Sequence, residues 1–411
     1  MNFVNEPPRK TPIMLSTDVL VAGAGVAGIA AALAAARHGK KVTLLEREFA
    51  LGGMATLGLI TIFLPLCDGA GNQVVFGLAD ELFKLSIKYS CEGKYPSAWL
   101  ENGSLEERIK TRYMAQYNPQ LFALTVEKLL KEAGVEILYG TSLVGTIVEE
   151  GFIKAVVVEN KSGRTAIEVE SAIDCTGDSD LSYHAGASTY TNPKGNGLAS
   201  WYYYFNGDEV KLKMFGLADV VPDSNNRLAE DSKSYSSSKT ESLDGNYRFS
   251  GVDGYELSAS VLAGHEKMLS DILSQNEKNR LFVPVTMSTI PLVRMSRRLV
   301  GEYTMDTCDD HKPLADSVGM TGDWCKRGPV YEIPFGALHN NSIKNLLVAG
   351  RNISASDAMW NITRVIPPSI VSGQAAGTAA AIGNDFSSID VSYLQKLLRE
   401  DNVVLHLDDL K

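Results

Sequence analysis

Cysteine and histidine are scarce in this chain of 411 residues. The five cysteines include no CxxC pair, and the six histidines form no HExxH motif and no close HxH pair. This spacing excludes a dithiol site of the thioredoxin type and offers no metal site. Free thiols are typical of proteins in a reducing compartment, so we expect a cytoplasmic location.

Positive charge is also in short supply. Lysine and arginine total 39 residues against 49 acidic ones, which gives a formal net charge of −10. A protein that binds a nucleic-acid backbone needs a basic face, so we expect no nucleic-acid partner. The hydrophobic content of 45% is ordinary for a globular protein, and the length suits two or three domains.

Long uncharged runs are few as well. Residues 19–36 form a run of uncharged residues long enough to be considered as a membrane span or a signal segment. The glycines within this run, and the strand pattern that resumes at Val42, favour a folded segment instead. We therefore expect no membrane partner, and the membrane or signal interpretation remains the minor alternative.

The same run contains a glycine motif at the end of a strand. Residues 19–22 are apolar, and Gly23-x-Gly25-x-x-Gly28 follows them directly. Gly23 permits a tight turn, Gly25 lets a pyrophosphate approach the backbone, and Gly28 lets the new helix pack on the strand. A second apolar run ends at Glu46, 18 residues after Gly28, where a carboxylate accepts hydrogen bonds from a ribose. The pattern predicts a dinucleotide site.

Strand and small-residue helix patterns return only near the C-terminus. Residues 345–350 predict a strand and residues 369–382 predict an Ala- and Gly-rich helix. Between the two regions, aromatic residues cluster at 201–205, which we interpret as a strand with alternating burial. Serine and charged residues dominate 223–250, which predicts a surface loop or flap. This order indicates one domain interrupted by another.

We predict a mixed α/β fold with the following organisation. A discontinuous, Rossmann-like domain with a parallel sheet and a β-meander covers residues 1–189 and 336–385. An inserted α+β domain for the substrate covers residues 190–335, and a C-terminal helix and tail cover residues 386–411.

Several segments resemble the two-dinucleotide-binding-domain flavoproteins of the glutathione-reductase type. Leu51–Thr56 is similar to the GG motif that continues along the cofactor, and Ile173–Asp178 is similar to the ATG strand that returns to it. Leu347–Arg351 is similar to the late segment beside the flavin ribityl chain. The resemblance implies that the Rossmann-like domain binds FAD.

A closer resemblance is to the FAD-dependent oxidoreductase family. Residues 294–303 match its segment R-x-x-R-R-h-x-G-x-Y, and residues 345–378 contain its late NLLVAGR and GQAAGT motifs. Where we expect a histidine in an S-A-T-H motif, this chain has Asp357. The resemblance implies an enzyme that transfers a hydride from a small organic substrate to flavin N5.

The resemblance also implies the site residues. We expect the late helix to begin near Pro367 and to aim its N-terminus at the flavin pyrimidine ring, where it would stabilise negative charge. The catalytic candidates are Arg298 and Arg364, as clamps for substrate or developing charge, and Asp357, as a general base. The residues expected to bind FAD are Gly23, Gly25, Val26, Ala27, Gly28, Glu46, Arg47, Gly52, Gly53, Met54, Ala55, Thr56, Val144, Thr176, Gly177, Asp178, Gly350, Arg351, Pro367 and Ser369.

Plain structural roles remain open for several of these side chains. Each arginine is also explained as surface charge, and Asp357 is also explained as a helix or turn cap. We favour a cap for Asp180 and a structural role for His184. Cys67 and Cys175 are expected to be small buried side chains without redox chemistry.

Three other functions are compatible with the motifs. FAD could serve without net substrate oxidation, as in an isomerase or a tRNA-modifying relative, although the acidic composition disfavours RNA. It could also be a structural group in a non-catalytic nucleotide-binding protein. An NAD-dependent dehydrogenase is disfavoured by the GG motif and by the late Gly350-Arg351 segment.

Overall fold

The computed structural model describes residue 4, residues 7–216 and residues 248–410. The surface loop expected at 223–250 therefore lies almost entirely outside the described residues. Within the described ranges, none of the helices is both long and apolar enough to cross a membrane.

The described residues form a mixed α/β structure. Its strands are β1 (Ile13–Ala22), β2 (Val42–Leu45), β3 (Ile62–Phe63), β4 (Cys91–Glu92), β5 (Ala115–Tyr117), β6 (Glu136–Leu138), β7 (Ser142–Glu149), β8 (Phe152–Asn160), β9 (Gly163–Asp174), β10 (Thr189–Thr191), β11 (Asn196–Gly197), β12 (Ser200–Phe205), β13 (Val210–Phe215), β14 (Arg248–Phe249), β15 (Val283–Met287), β16 (Arg297–Leu299), β17 (Ser317–Gly322), β18 (Val330–Pro334) and β19 (Leu346–Val348). Its helices are α1 (Val26–Arg37), α2 (Leu78–Ile87), α3 (Ser97–Leu100), α4 (Leu105–Lys110), α5 (Pro119–Glu132), α6 (Asp180–His184), α7 (Gly254–Lys278), α8 (Asp357–Thr363), α9 (Ile366–Ile382) and α10 (Val391–Glu400).

A parallel sheet in the order β6-β2-β1-β9-β19 lies at the centre of the structure. The first half of the long strand β9 also pairs antiparallel with β8, which in turn pairs with β7. Because central parallel strands are covered on both faces, β1 ends in the fully apolar run 19–22 and β2 is buried along its whole length. The predicted parallel sheet and β-meander are thus confirmed.

Helices α1 and α9 cover one face of this sheet and pack closely against each other. A Cβ atom on Gly373 would lie 2.3 Å from the carbonyl oxygen of Ala27, and one on Gly377 would lie 2.2 Å from that of Ala31. Glycines four residues apart share one helix face, so they let the two backbones approach. The last part of the chain is thereby fixed against the first helix.

A smaller antiparallel sheet, in the order β13-β12-β15, carries the aromatic run at 201–205. The strand is present, but the predicted alternation of burial is wrong, because Ser200–Tyr203 are all buried. Neighbouring side chains of the strand instead enter two different hydrophobic clusters. Trp201 and Tyr203 pack with Leu59 and Met54, close to the GG motif. On the other face, Tyr202 packs with side chains of β13, α7 and the segment before β15, namely Phe215, Met268 and Phe282.

The main core extends further along the chain than the predicted domain boundary. Leu299, Met305 and Ile333 belong to the same core as β1 and α1, and so do Phe386 and Leu398 near the C-terminus. The chain returns to this core because β16 pairs with β10 and β17 packs on α9. The insertion expected at residues 190–335 stays a prediction.

Replacing Gly377 by alanine is expected to destabilise the protein. The new methyl group would push α9 away from α1, and overpacking of this kind costs about 1–3 kcal/mol. We expect a melting temperature several degrees lower by differential scanning calorimetry. Gly383→Ala is the control, because a Cβ there meets no atom within 4 Å. Equal melting temperatures for the two variants would contradict the proposed close contact.

Candidate functional site

The turn after β1 contains glycines for two different reasons. Gly23 has a φ of +95°, and a Cβ on it would lie 2.6 Å from the carbonyl oxygen of Cys175. A Cβ on Gly28 would lie 1.9 Å from the carbonyl oxygen of Gly23. These two positions have no room for a side chain. Gly25 differs, because a Cβ there would meet nothing within 4 Å, so its backbone borders open space.

This open space lies at the N-terminus of α1. Gly25 is the N-cap residue and no side chain caps the helix, so the N–H groups of Val26 and Ala27 remain available to an anion. The GG motif docks beside them, since the N–H of Gly52 donates to the carbonyl oxygen of Ala24 at 2.8 Å. Gly53 lies close to Gly25 on the same side. The arrangement fits a pyrophosphate.

Glu46 stands at the end of β2, where the sequence predicted a ribose ligand. Its carboxylate accepts hydrogen bonds from the N–H groups of Ala24 and Glu48, each at 3.0 Å. Burial raises the pKa of Glu46 above its ordinary value, against the effect of these two bonds. Two hydrogen bonds leave lone pairs for ribose hydroxyls. Arg47, by contrast, is exposed and pairs with Glu48 at 3.5 Å.

The segment after the GG motif leads from the turn toward the smaller sheet. Met54 and Ala55 lie in a single 3₁₀ turn, Gly53–Ala55. Thr56 donates its hydroxyl to the carbonyl oxygen of Leu51 at 2.5 Å and so closes this turn. The carbonyl oxygen of Ala55 accepts a hydrogen bond from the buried Tyr117 hydroxyl at 2.9 Å. The segment expected along the cofactor is therefore held from both sides.

The loop after β9 is organised by the buried carboxylate of Asp174. One of its oxygens accepts from the N–H and the hydroxyl of Thr176, and the other accepts from the N–H and the hydroxyl of Ser182. Gly177 has a φ of +79°, and the guanidinium of Arg351 lies directly over it. Val144, expected to bind FAD, lies at an irregularity in the pairing of β7 with β8.

Asp178 binds protein groups in this structure. Its carboxylate pairs with Arg351 at 2.7 Å and accepts a hydrogen bond from Ser296. Its neighbour Asp180 pairs with Arg297 at 2.7 Å. The expected cap role of Asp180 is wrong, because Ser179 is the N-cap residue of α6 and no side chain caps that helix. The contact of Asp178 with the cofactor remains a prediction.

The late helix starts one residue earlier than expected, at Ile366. Pro367 and Pro368 follow it and have no N–H, and the N–H of Ser369 already donates to Val365. Only Ile366 therefore offers an N–H in the first turn, and any effect on a flavin comes mainly from the helix dipole. The preceding Gly350 has a φ of +95° and donates its N–H to Ser372.

Two of the three catalytic candidates lie close together. Arg298 is 7% exposed, and its guanidinium lies over the ring of Tyr190. Burial and the negative charge of Asp357 raise the pKa of the Tyr190 hydroxyl, and the same charge acts on Arg298. Asp357 is the first residue of α8, but the side chain that caps this helix is that of Ser356. The explanation of Asp357 as the cap is therefore wrong.

Arg364 lies at the other end of α8, apart from this pair. Its guanidinium donates to the side-chain oxygen of Asn361 at 3.2 and 2.7 Å and packs over Trp324. Asn361 also approaches the thiol of Cys325 at 3.9 Å. Burial raises the pKa of Cys325 to about 12. This thiol and Arg364 form a second polar group beside the start of α9.

Sequence reasoning missed Tyr190, Trp360 and Ser296. The sequence could have indicated Trp360, because this residue lies one helical turn after Asp357. Tyr190 faces Arg298 across the pairing of β10 with β16, and Ser296 reaches Asp178 over a separation of 118 residues. Neither contact leaves a local signal in the sequence.

The family model described as FAD dependent oxidoreductase matches residues 18–398. This chain belongs to that family. It is therefore an oxidoreductase, and FAD is its cofactor. The cradle fits this cofactor, since the open side of Gly25, the free first turn of α1 and the carboxylate of Glu46 offer what its phosphates and ribose require.

The chain is also similar to solved structures at low sequence identity. One is a geranylgeranyl bacteriochlorophyll reductase-like protein from Thermoplasma acidophilum, with 13% identity, 94% of this chain and 84% of that chain covered, and a TM-score of 0.43. Another is L-proline dehydrogenase from P. horikoshii, with 11% identity, 95% and 99% covered, and a TM-score of 0.42. No curated protein matches the chain.

Replacing Gly25 by alanine is expected to weaken FAD binding at least tenfold and to leave the fold intact. The methyl group would occupy the open side of the turn, where the pyrophosphate is expected, and it would meet no protein atom. Titration of deflavinated protein with FAD measures the affinity, and calorimetry without FAD measures the stability. Gly254→Ala is the control, because a Cβ there also meets nothing. Unchanged FAD affinity in Gly25→Ala would contradict this placement of the cofactor.

The cysteines are expected to differ sharply in reactivity at pH 8. Cys308 is exposed, whereas Cys325 has a pKa of about 12, so roughly one Cys325 in ten thousand is a thiolate. We expect iodoacetamide to modify Cys308 first, as seen by intact mass spectrometry, and Cys308→Ser to remove this fast step. Equally fast labelling of Cys325 would show that its thiol is not shielded.

Proposed function

We propose that the enzyme oxidises a small organic substrate by transferring a hydride from a substrate carbon to flavin N5. The observation that carries this proposal is the cluster of Arg298, Tyr190 and Asp357 beside the cofactor-binding segments. Two hydrogen bonds join this cluster to the segment 351–352. The indole N–H of Trp360 donates to the carbonyl oxygen of Arg351, and the N–H of Leu299 donates to the carbonyl oxygen of Asn352. A cationic group and a base thus flank the region expected to hold the flavin.

FAD supplies the two-electron acceptor for this reaction. Removing a hydride from a CH–OH or CH–NH group also requires the O–H or N–H proton to leave. We propose that the carboxylate of Asp357 accepts it while the carbon–hydrogen bond breaks and a C=O or C=N bond forms. In this assignment Asp357 takes the role of the histidine expected in the family motif, beside the Tyr190 hydroxyl.

The smaller sheet, β13-β12-β15, offers a second wall for the proposed substrate pocket. Trp201 and Tyr203 pack against Met54 and Ile60, immediately after the GG motif. Tyr203 also donates its hydroxyl to Glu92 at 2.7 Å and contacts the Thr61 hydroxyl at 3.0 Å. This apolar cover would exclude water from a reduced cofactor.

We further propose that FAD is arranged as in flavoproteins of the glutathione-reductase type and that the protein is cytoplasmic. We also propose that the enzyme acts on a small molecule and binds neither nucleic acid nor a membrane. The order of the GG motif, the Asp174 loop and the Gly350 segment supports the first. The free thiols and the net charge of −10 support the others. We keep Arg364 as a second clamp, because it lies just before the start of α9.

Anaerobic reduction of the FAD-loaded protein by sugars, amino acids and hydroxy acids tests this function. With a substrate that bleaches the flavin absorbance, Asp357→Asn is expected to slow bleaching about 10²- to 10⁴-fold, as is usual on loss of a general base. FAD content and melting temperature should not change. Asp390→Asn, at the start of α10, is the control, because asparagine caps a helix equally well.

Two outcomes would contradict the proposal. Bleaching of Asp357→Asn at the normal rate would remove Asp357 from the reaction. A protein that holds FAD and is bleached by no compound of the panel would favour a function without substrate oxidation.

A further inference from the structure

Arg298 is almost completely enclosed by protein. It lies on the short strand β16, with 7% of its surface exposed. Its guanidinium carbon lies 4.6 Å from the ring centre of Tyr190 and 5.7 Å from that of Trp360. The two rings hold the guanidinium in place through cation–π contacts, but they accept no strong hydrogen bond from its edge.

The hydrogen-bonding capacity of this arginine is largely unused. Nη1 donates to the carbonyl oxygen of Leu299 at 3.0 Å, and the buried Nε has no partner. The neighbouring Arg297 instead pairs with Asp180 and with the carbonyl oxygen of Asp178. Among the residues that the structure describes, no carboxylate forms an ion pair with Arg298 within 4.0 Å.

An isolated buried cation is unfavourable, because burial removes its hydration and nothing replaces it. Burial accordingly lowers the pKa of Arg298, and the negative charge of Asp357 offsets this only in part. A guanidinium with free N–H groups and a fixed plane is suited to bind an oxyanion with two parallel hydrogen bonds.

We propose that Arg298 binds the carboxylate of the substrate, so that the enzyme acts on a small organic acid. This inference rests on the proposed function, because it assigns the anion to the molecule being oxidised. A carboxylate held there would place the adjoining carbon near Asp357 and near the segment Arg351–Asn352. The substrate class would then be acids that carry an oxidisable CH–OH or CH–NH group.

The test uses simple acids as probes and needs no turnover. Acetate and benzoate are titrated into the oxidised FAD-loaded protein, with acetamide and benzamide as neutral isosteres. Changes in the flavin spectrum and in the melting temperature report binding. We expect the acids to bind and the amides not to bind. Arg298→Gln should weaken acid binding about tenfold to a hundredfold, the range for a charge-assisted hydrogen-bond pair.

Two further variants keep the test decisive. Arg298→Lys retains the charge without the planar fork, so it should fold and bind acids with intermediate affinity. Arg297→Gln is the matched control on the same strand, because the Arg297 guanidinium is already paired with Asp180. It should leave acid binding unchanged even if its stability falls.

Three results would overturn the proposal. The first is the absence of acid binding, and the second is equal binding by the wild type and Arg298→Gln. The third is a loss of FAD affinity in Arg298→Gln without a change in acid binding, which would make a cofactor phosphate the partner. Arg298-dependent acid binding, together with a flavin that no acid bleaches, would support the anion site and contradict the proposed oxidation.

Discussion

The contact between α1 and α9 is the constraint on which the rest of the site depends. The two helices come from opposite ends of the chain, and backbone meets backbone at Gly373 and Gly377. This approach sets the position of Ile366, and therefore of the dipole of α9, relative to the first turn of α1. It also brings Gly350 beside Ala27, so that the early and late motifs share one region. Any separation of the helices would widen the cofactor cradle.

The glycines of the first turn show how the same residue serves two needs. Gly23 and Gly28 are required because protein atoms already occupy the space of a side chain. Gly25 is not required by any neighbouring protein atom, because its Cβ direction is empty, and this leaves room for the proposed cofactor. Within six residues, glycines that the fold requires can thus be told apart from a glycine that leaves room for a ligand. It explains why a glycine motif by itself is weak support for a nucleotide site, and why the geometry around each glycine decides the matter.

The sequence predicted those parts of the fold that depend on local pattern. Periodicity and the glycine motif were enough for β1, α1, β2 and the meander, since each is specified within a few residues. Composition does not reveal which core a side chain joins, and Leu299, within the predicted insertion, joins the main one. The cap assignments failed for a similar reason. A serine next to an aspartate, as at Ser356-Asp357, leaves the choice of cap to backbone geometry.

The roles of the arginines in the site follow from the arrangement of charged side chains around β16. Three arginines lie near the loop after β9, and two of them, Arg297 and Arg351, are matched by Asp180 and Asp178. A structural arginine needs such a partner, because burial without one is unfavourable. Arg298 has aromatic faces instead, which fix its orientation and leave its Nε without a hydrogen-bond partner. In sequence the adjacent arginines 297 and 298 are indistinguishable. Their roles separate only when the strand pairing turns one toward acidic side chains and places the other between two rings.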